Sequence, residues 1–376
     1  MSSTKKIIIT GGHLTSALSV LPKLRENGWQ IIFLGRKYAL EGDKTLSTEY
    51  RVIKELGIDF ISLTTGRLQR NFSRYTLSSL LKIPLGLIQS FYYLKKYKPD
   101  LILSFGGYLA LPVAFAGWFL RIPIVTHEQS AVSGLANDLI ARVADKICLS
   151  WEKTTTGLPA GKIVYTGNPL RKEIFTPTAD NFQNLFNEKL PLVYITGGNL
   201  GAHVLNEALI AILPKLLEKY QIIHQCGETK TYEDYEKLLS FVSSLSSHLQ
   251  KRYVLKKYID VKDIGWVLNR ADWVISRSGA NIVTELAALG KPAILIPLPW
   301  AGQNEQLENA RLLEKAGTAV IFPQKDLKTE NFYKAIELFS KNLDNYRINA
   351  RAAQKIINLA AADKLVDVVE EVFHGS

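Results

Sequence analysis

The feature that most limits the fold of this 376-residue chain is a series of short, unbroken apolar runs, each bounded by Gly, Pro or Asp. They are Lys6–Thr10, Gln30–Leu34, Leu101–Ser104, Ile124–Thr126, Lys146–Leu149, Lys162–Tyr165, Leu192–Thr196, Gln221–His224, Trp273–Ser276 and Ala293–Pro297. A strand with one face in water alternates apolar and polar residues, whereas a strand buried on both faces is apolar throughout. Helical patterns separate the runs, the first from about Thr15 to Asn27, with Gly28 as its stop. Such an alternation specifies parallel sheets covered by helices on both faces, an α/β doubly wound class.

Length favours two domains. The segment Ile7–Leu14 (IIITGGHL) is echoed by Val193–Ala202 (VYITGGNLGA), each a strand, a glycine pair and a helix start. The junction is expected at Gly167-Asn168-Pro169, giving domains 1–167 and 168–348. The remainder, 349–376, reads as one amphipathic helix from Asn349 to Phe373 that could pack back on the first domain. Its expected apolar face is Ile356, Leu359, Leu365, Val368, Val369 and Val372.

Glycine pairs follow strands three times: Gly11-Gly12, Gly106-Gly107, and Gly197-Gly198 with Gly201. Glycine allows a tight turn and a close approach of ligand to backbone, and the helix that follows offers unpaired N–H groups and the positive end of its dipole. Strand-to-helix turns use glycine in any case, but three pairs in one chain point to phosphate binding. None is a dinucleotide G-x-G-x-x-G with its downstream acid, and no Walker lysine is present. There is no D-x-D, so no metal-bound nucleotide site is expected. The two cysteines, Cys148 and Cys226, form neither a disulfide framework nor a zinc site. No metal and no cofactor is expected.

The second half carries a denser set, Ser276–Glu285 (SRSGANIVTE), then Gln303-Asn304-Glu305-Gln306 and Asn309. Ser278-Gly279 opens a helix whose first-turn N–H groups suit a phosphate. Glu285, further along it, is placed to accept both hydroxyls of a ribose, and Gln306 and Asn309 to bond sugar hydroxyls. Glu285 as a solvated helix residue is the alternative.

Taken together, these motifs resemble the bacterial peptidoglycan glycosyltransferases of the MurG family. The matching pieces are Thr10–His13 (TGGH), Lys98–Tyr108, Ile122–Gln129, Gly167–Arg171 (GNPLR), Ile195–Ala202, His224–Gly227 (HQCG), Arg277–Glu285 and Glu305–Ala310, in order along nearly the whole chain. The resemblance implies the GT-B architecture, two Rossmann-like doubly wound parallel-sheet domains with a cleft between them. It implies transfer of N-acetylglucosamine from its uridine diphosphate donor to the C4 hydroxyl of undecaprenyl-pyrophosphoryl-N-acetylmuramyl-pentapeptide, with inversion. The donor positions fall on Arg171, Asn199, Ala280, Asn281, Ile282, Val283, Thr284, Glu285 and Gln306, with the Ile259 backbone at uracil. Thr10, Gly11, Gly12 and Ser130 fall on substrate-binding positions, and Gly106, Gly107 and Tyr108 on loops near the lipid pyrophosphate.

His13 is the candidate general base, since a histidine at the positive end of a helix favours the neutral form that accepts a proton. A cap or a substrate-orienting hydrogen bond is its alternative. Glu128 is the second candidate for base or acceptor contact. Departures from the family pattern touch the same loops. Glycines are missing ahead of Thr10, Ser16 replaces a proline, Ser130 an asparagine, and Asn199-Leu200 a serine and glutamine. They leave open another lipid acceptor, a weakened enzyme or a non-catalytic paralogue docked at a membrane; a UDP-N-acetylglucosamine 2-epimerase, which shares the fold, is a second enzyme reading.

The 46 Lys and Arg against 35 Asp and Glu give a net charge of +11, which by itself admits nucleic acid, anionic lipid or phosphorylated substrate as partner. From Phe60 to Pro99 there is no acid, while Lys and Arg alternate with leucines. Leu80, Leu81, Ile83, Leu85, Leu87 and Ile88, with Trp118 as an aromatic anchor, form a candidate patch for an anionic membrane surface. The alternative is a buried helix face with solvated charges. No nucleic-acid motif accompanies the charge. The longest apolar stretch, Leu109–Leu120, is too short to span a bilayer. The expected location is therefore peripheral, at the cytoplasmic face of the cell membrane.

Overall fold

The computed structural model describes residues 4–38, 46–66, 76–155, 157–178, 182, 189–229 and 231–375, without the side chains of 76–81 and 155. The chain divides into two units, Met1–Arg171 with Asn358–Ser376, and Lys172–Ile357. The boundaries lie at 171/172 and 357/358, not at 167/168 and 348/349.

The first unit is built on seven parallel strands: β1 (Lys6–Thr10), β2 (Gln30–Gly35), β3 (Asp59–Ser62), β4 (Leu101–Ser104), β5 (Ile124–Glu128), β6 (Lys146–Leu149) and β7 (Ile163–Tyr165). Their order is β3-β2-β1-β4-β5-β6-β7. The second unit has six: β8 (Leu192–Thr196), β9 (Gln221–Gln225), β10 (Tyr253–Lys256), β11 (Trp273–Ser276), β12 (Ala293–Leu295) and β13 (Ala319–Ile321). Their order is β10-β9-β8-β11-β12-β13. Every pairing is parallel.

The unbroken apolar runs are explained by cover on both faces. On β1, Ile7 and Ile9 join a core with Val20 and Leu24 of the helix Leu14–Glu26 and with Leu365, Val366 and Val369 of the closing helix. Ile8, one residue out of phase, joins the opposite core with Val113 and Ile140. Strand side chains alternate between faces, so each run feeds two cores at once.

The closing segment is not the single helix expected. It forms Ala350–Lys355, within the second unit, and Ala361–His374, within the first. Asn358 breaks it: its Nδ2 donates to Thr166 O at 2.7 Å and its Oδ1 accepts from Ala360 N at 3.1 Å. An asparagine that bonds locally offers the backbone an alternative to helix. Ile356 and Leu359 accordingly leave the expected apolar face and are exposed.

In the first unit, Glu49 on the helix Thr48–Glu55 accepts from the Arg36 N–H at 3.3 Å, while its Oε1 is buried with no partner among the described residues. Burial pushes its carboxyl up to about 7, against the Arg36 N–H and guanidinium, which lower it. Below about pH 4 both folded and unfolded chains hold this proton. As pH rises towards 7 the unfolded chain releases it first, so stability falls by roughly 3 kcal/mol at most. Glu49→Gln cannot titrate. In urea unfolding, its stability relative to wild type is expected to rise by about 2–3 kcal/mol between pH 4.5 and pH 8; parallel pH slopes would contradict the assignment.

Candidate functional site

In a doubly wound sheet, ligands bind at the carboxyl ends of the strands where strand order reverses. In the first sheet that place is between β1 and β4, with Thr10 beside Ser104. The two glycine pairs of this half leave those two strands. Gly12 N donates to Gly106 O at 3.2 Å, joining the loops. Gly106 has φ 71°, and a Cβ there would stand 2.0 Å from Asn137 Oδ1, so no other residue fits without moving the asparagine.

His13 precedes the helix Leu14–Glu26, and its Nδ1 lies 2.8 Å from Phe105 O. A carbonyl can only accept, so Nδ1 carries the proton and the neutral ring keeps its lone pair on Nε2. The ring is half-buried and close enough to Glu128 that a proton taken up on it would favour the ionised carboxylate.

Glu128 is buried, and both its oxygens are occupied. Oε1 accepts from Ser130 N at 2.9 Å; Oε2 accepts from Asn137 Nδ2 at 2.5 Å and Gly134 N at 3.2 Å. Asn137 Oδ1 in turn accepts from Gly107 N at 3.2 Å. Burial pushes the Glu128 carboxyl up, and the Ser130 N–H, His13 when protonated, the Asn137 amide and the Gly134 N–H oppose it. The geometry makes Glu128 the organiser of the second glycine loop through Asn137. It does not present Glu128 as a base. Asn137 was not singled out in the sequence, and only its place three residues after Gly134 could have hinted at it. His127 is held neutral by burial, its pKa pushed down to about 4, and donates from Nε2 to Gly167 O at 3.0 Å.

Ser130 is buried inside this network, and its carbonyl accepts from Thr154 Oγ1 at 3.1 Å. Ser16 has a defined role: its hydroxyl lies 2.9 Å from Asn168 Oδ1 and 3.2 Å from Gln129 Oε1, fastening the first helix to the Gly167-Asn168-Pro169 segment. Tyr108 Oη accepts from Arg36 Nη1 at 2.8 Å. Arg171 is the last residue of the first unit's main span.

In the second sheet the reversal lies between β8 and β11. The Gly197–Gly201 loop follows β8 and Arg277-Ser278-Gly279 follows β11. Gly201 has φ 84°, and a Cβ there would stand 2.1 Å from Cys226 O. Asn199 and Leu200 form the exposed tip of this loop, with Glu228 N donating to Asn199 O at 3.0 Å. The helix Ala280–Leu289 makes its first internal bond from Val283 N to Gly279 O at 3.2 Å. The N–H groups of Ala280, Asn281 and Ile282 are thus not used by the helix. Thr284 Oγ1 donates to Ala280 O at 2.8 Å.

Gln306 lies beside this helix start. Its carbonyl accepts from Ser278 Oγ at 2.8 Å and its Oε1 from Leu298 N at 3.0 Å. Asn309 is buried and donates to Ser278 O at 3.3 Å, so it braces the loop and is not available to a sugar. Arg277 is buried too, donating to Ile296 O at 3.1 Å and Gln324 Oε1 at 2.6 Å. Glu285 is 1% exposed, which removes the solvated reading. The Ile259 side chain is buried.

Part of the apolar patch is present on the first unit. Leu85, Ile88 and Tyr92 are exposed at helical spacing on Thr76–Tyr97, beside Lys82, Lys95 and Lys96. Trp118 and Phe119, 57% and 71% exposed, end the helix Gly107–Phe119, and the rings of Phe119 and Phe91 meet edge-on at 5.4 Å. Leu87 packs against the core instead, and Ile83 is half-buried. The side chains of Leu80 and Leu81 lie outside the described residues. No helix among the described residues is long and apolar enough to cross a membrane, and no cluster of His, Cys, Asp and Glu there could hold a metal.

Two family models match the chain, the second running past Ile357 into the closing helix of the first unit. The glycosyltransferase family 28 N-terminal domain matches residues 8–149 and its C-terminal domain matches 192–367. A Bacillus cereus UDP-N-acetylglucosamine–N-acetylmuramyl-(pentapeptide) pyrophosphoryl-undecaprenol N-acetylglucosamine transferase 2 is 33% identical over 350 residues, covering 91% of this chain and 94% of its own. A Lachnospira eligens transferase of the same name without the number is 32% identical, covering 98% and 99%. Among solved structures, Acinetobacter baumannii MurG superposes with a TM-score of 0.69 at 27% identity, covering 98% of this chain and 99% of its own. A Neisseria meningitidis UDP-GlcNAc 2-epimerase bound to UDP-GlcNAc gives 0.70 at 15% identity over 98% and 100%, a likeness of fold alone.

Proposed function

The chain belongs to glycosyltransferase family 28, and from that premise we propose that it moves N-acetylglucosamine from UDP-N-acetylglucosamine to the C4 hydroxyl of undecaprenyl-pyrophosphoryl-N-acetylmuramyl-pentapeptide. Its two Rossmann-like sheets are those of the GT-B class. The second unit holds the donor and the first holds the acceptor. The observation that carries the mechanism is the fixed tautomer of His13, which leaves Nε2 as a proton acceptor at the mouth of the joined glycine loops.

The reaction is a single displacement. The acceptor C4 oxygen forms a bond to the anomeric carbon as the bond from that carbon to the diphosphate oxygen breaks. The hydroxyl proton passes to His13 Nε2, and UDP leaves with the electron pair. Charge developing on the diphosphate is met by the N–H groups opening the helix Ala280–Leu289. Glu128 and Asn137 hold the Gly106-Gly107 loop in shape beneath the acceptor pyrophosphate.

The test is transfer of labelled sugar to purified acceptor lipid. Wild type is expected to form the disaccharide lipid, and His13→Gln to lower kcat by about 10²- to 10⁴-fold with donor affinity retained. Full activity of the variant would remove His13 from the base role. Glu285→Ala is expected to weaken UDP-sugar binding by about tenfold to a hundredfold in calorimetry, through loss of a charged hydrogen bond. Unchanged affinity would refute the ribose assignment.

The exposed apolar residues and their lysine rim support docking at an anionic bilayer surface, the cytoplasmic one, where the acceptor lipid is anchored. Ile88→Ser with Trp118→Ser and Phe119→Ser is expected to abolish most sedimentation with phosphatidylglycerol vesicles at unchanged donor affinity. Unaltered sedimentation would assign the patch elsewhere.

A further inference from the structure

We infer that Trp300 is the face on which the pyranose ring of the donor sugar stacks. The inference rests on the UDP-sugar reading of the second unit and adds to it a residue that selects the sugar.

Trp300 lies in the loop from β12 to the helix Glu305–Lys315 and is 69% exposed. An indole is normally among the better buried side chains. Trp29, Trp151 and Trp273 of this chain are all buried. The loop that exhibits Trp300 is nevertheless tightly built. Ala301 N donates to Leu298 O at 3.2 Å, Asn304 N to Ala301 O at 3.1 Å, and Leu298 N to Gln306 Oε1 at 3.0 Å. Gln303 and Asn304 then take the left-handed conformation in succession, with φ 52° and 57°. Non-glycine residues persist there only where their surroundings hold them, and such sites gather at ligand clamps. The strained pair turns the chain into the helix that carries Gln306.

Gln306 shows what the loop can hold. Its Oε1 is committed to Leu298, so its Nε2 is the group left to donate, and a sugar hydroxyl is an acceptor. A pyranose also has an apolar C–H face that no hydrogen-bonding group can satisfy. An exposed indole on the same short loop supplies that surface, and the pairing of one aromatic wall with few polar groups is how small polar ligands are oriented.

Strand order decides which part of the donor reaches Trp300. The Ile259 backbone, assigned to uracil, follows β10 at one edge of the sheet, and Trp300 follows β12 on the far side. The path runs β10-β9-β8-β11-β12. Four strand spacings make about 19 Å. The diphosphate-binding helix start follows β11, between the two. A donor with its base at Ile259 and its phosphates at Ala280 therefore brings its sugar, not its base, to the β12 loop.

Calorimetry of the full chain with UDP and with UDP-N-acetylglucosamine separates these parts. Trp300→Ala is expected to weaken UDP-N-acetylglucosamine by about three- to tenfold while leaving UDP within twofold. Trp300→Phe, which keeps a smaller aromatic face, should recover most of the loss, and both variants should keep the wild-type melting temperature. If Trp300→Ala alone melts early, Trp300→Phe and Trp300→Gln carry the comparison. Equal loss of both ligands would overturn the inference in favour of a loop-folding role. Loss of neither, including a change confined to the KM of the acceptor lipid, would overturn it as well. Failure of wild type to bind UDP would instead remove the nucleotide-sugar reading, and the Trp300 assignment with it.

Discussion

Parallel strands all end on one edge of their sheet, and where strand order reverses, the loops leaving neighbouring strands must run to opposite faces. The divergence opens a crevice lined by backbone and by helix starts. Both units of this protein place their glycine loops there, after β1 and β4 in one and after β8, with the Ser278-Gly279 turn after β11, in the other. The proposed chemistry uses this arrangement because a crevice of this kind can bring N–H groups to anions without burying a compensating charge. It also explains a repeated detail. Ser104 Oγ accepts from Gly106 N at 3.1 Å, and Thr196 Oγ1 from Gly198 N at 3.0 Å, so in both units a hydroxyl at the strand end sets the turn.

The polar groups behind these loops are tied together, as their burial requires. Glu128 shows the logic. A lone buried carboxylate would be expelled or neutralised, whereas one that receives three donors can shape a loop. The bond between Gly107 N and Asn137 then transmits that shape to the second glycine loop. The second unit achieves a similar end with neutral groups, since Ser278, Gln306 and Asn309 link the starts of two helices through amides and a hydroxyl.

The fold class was legible because interior strands are covered on both faces and so are apolar throughout. The strands that the sequence did not reveal are β3, β10 and β13, each at a sheet edge. Phe60 is only partly buried and flanked by exposed Asp59, and β10 and β13 end in half-buried residues, so these strands lack the full cover of the interior ones; β13 nevertheless lies in an unbroken apolar run, Ala319–Phe322, that was passed over. The glycine loops, His13 and Gln306 were legible as motifs. The roles of Glu128, Asn309 and Arg277 were not, because the residue types suit either a ligand or a buried brace, and only the three-dimensional partners decide. The break at Asn358 was hidden for a related reason. Ile356 and Leu359 continue a helical period, and a single side chain bonding to Thr166 overrides it.

The helix Ala361–His374 belongs to the first unit, although the whole second unit precedes it in the chain. Leu365, Val366 and Val369 cover one face of the first sheet and are fully buried there. A ribosome delivers residues in order, and domains usually fold as they emerge. Here the core around Ile7 and Ile9, covered until then only by the helix Leu14–Glu26, has to wait for completion until residues 361–374 are synthesised. The second unit is free to complete its fold earlier, so the order of folding in the cell is expected to reverse the order of the sequence.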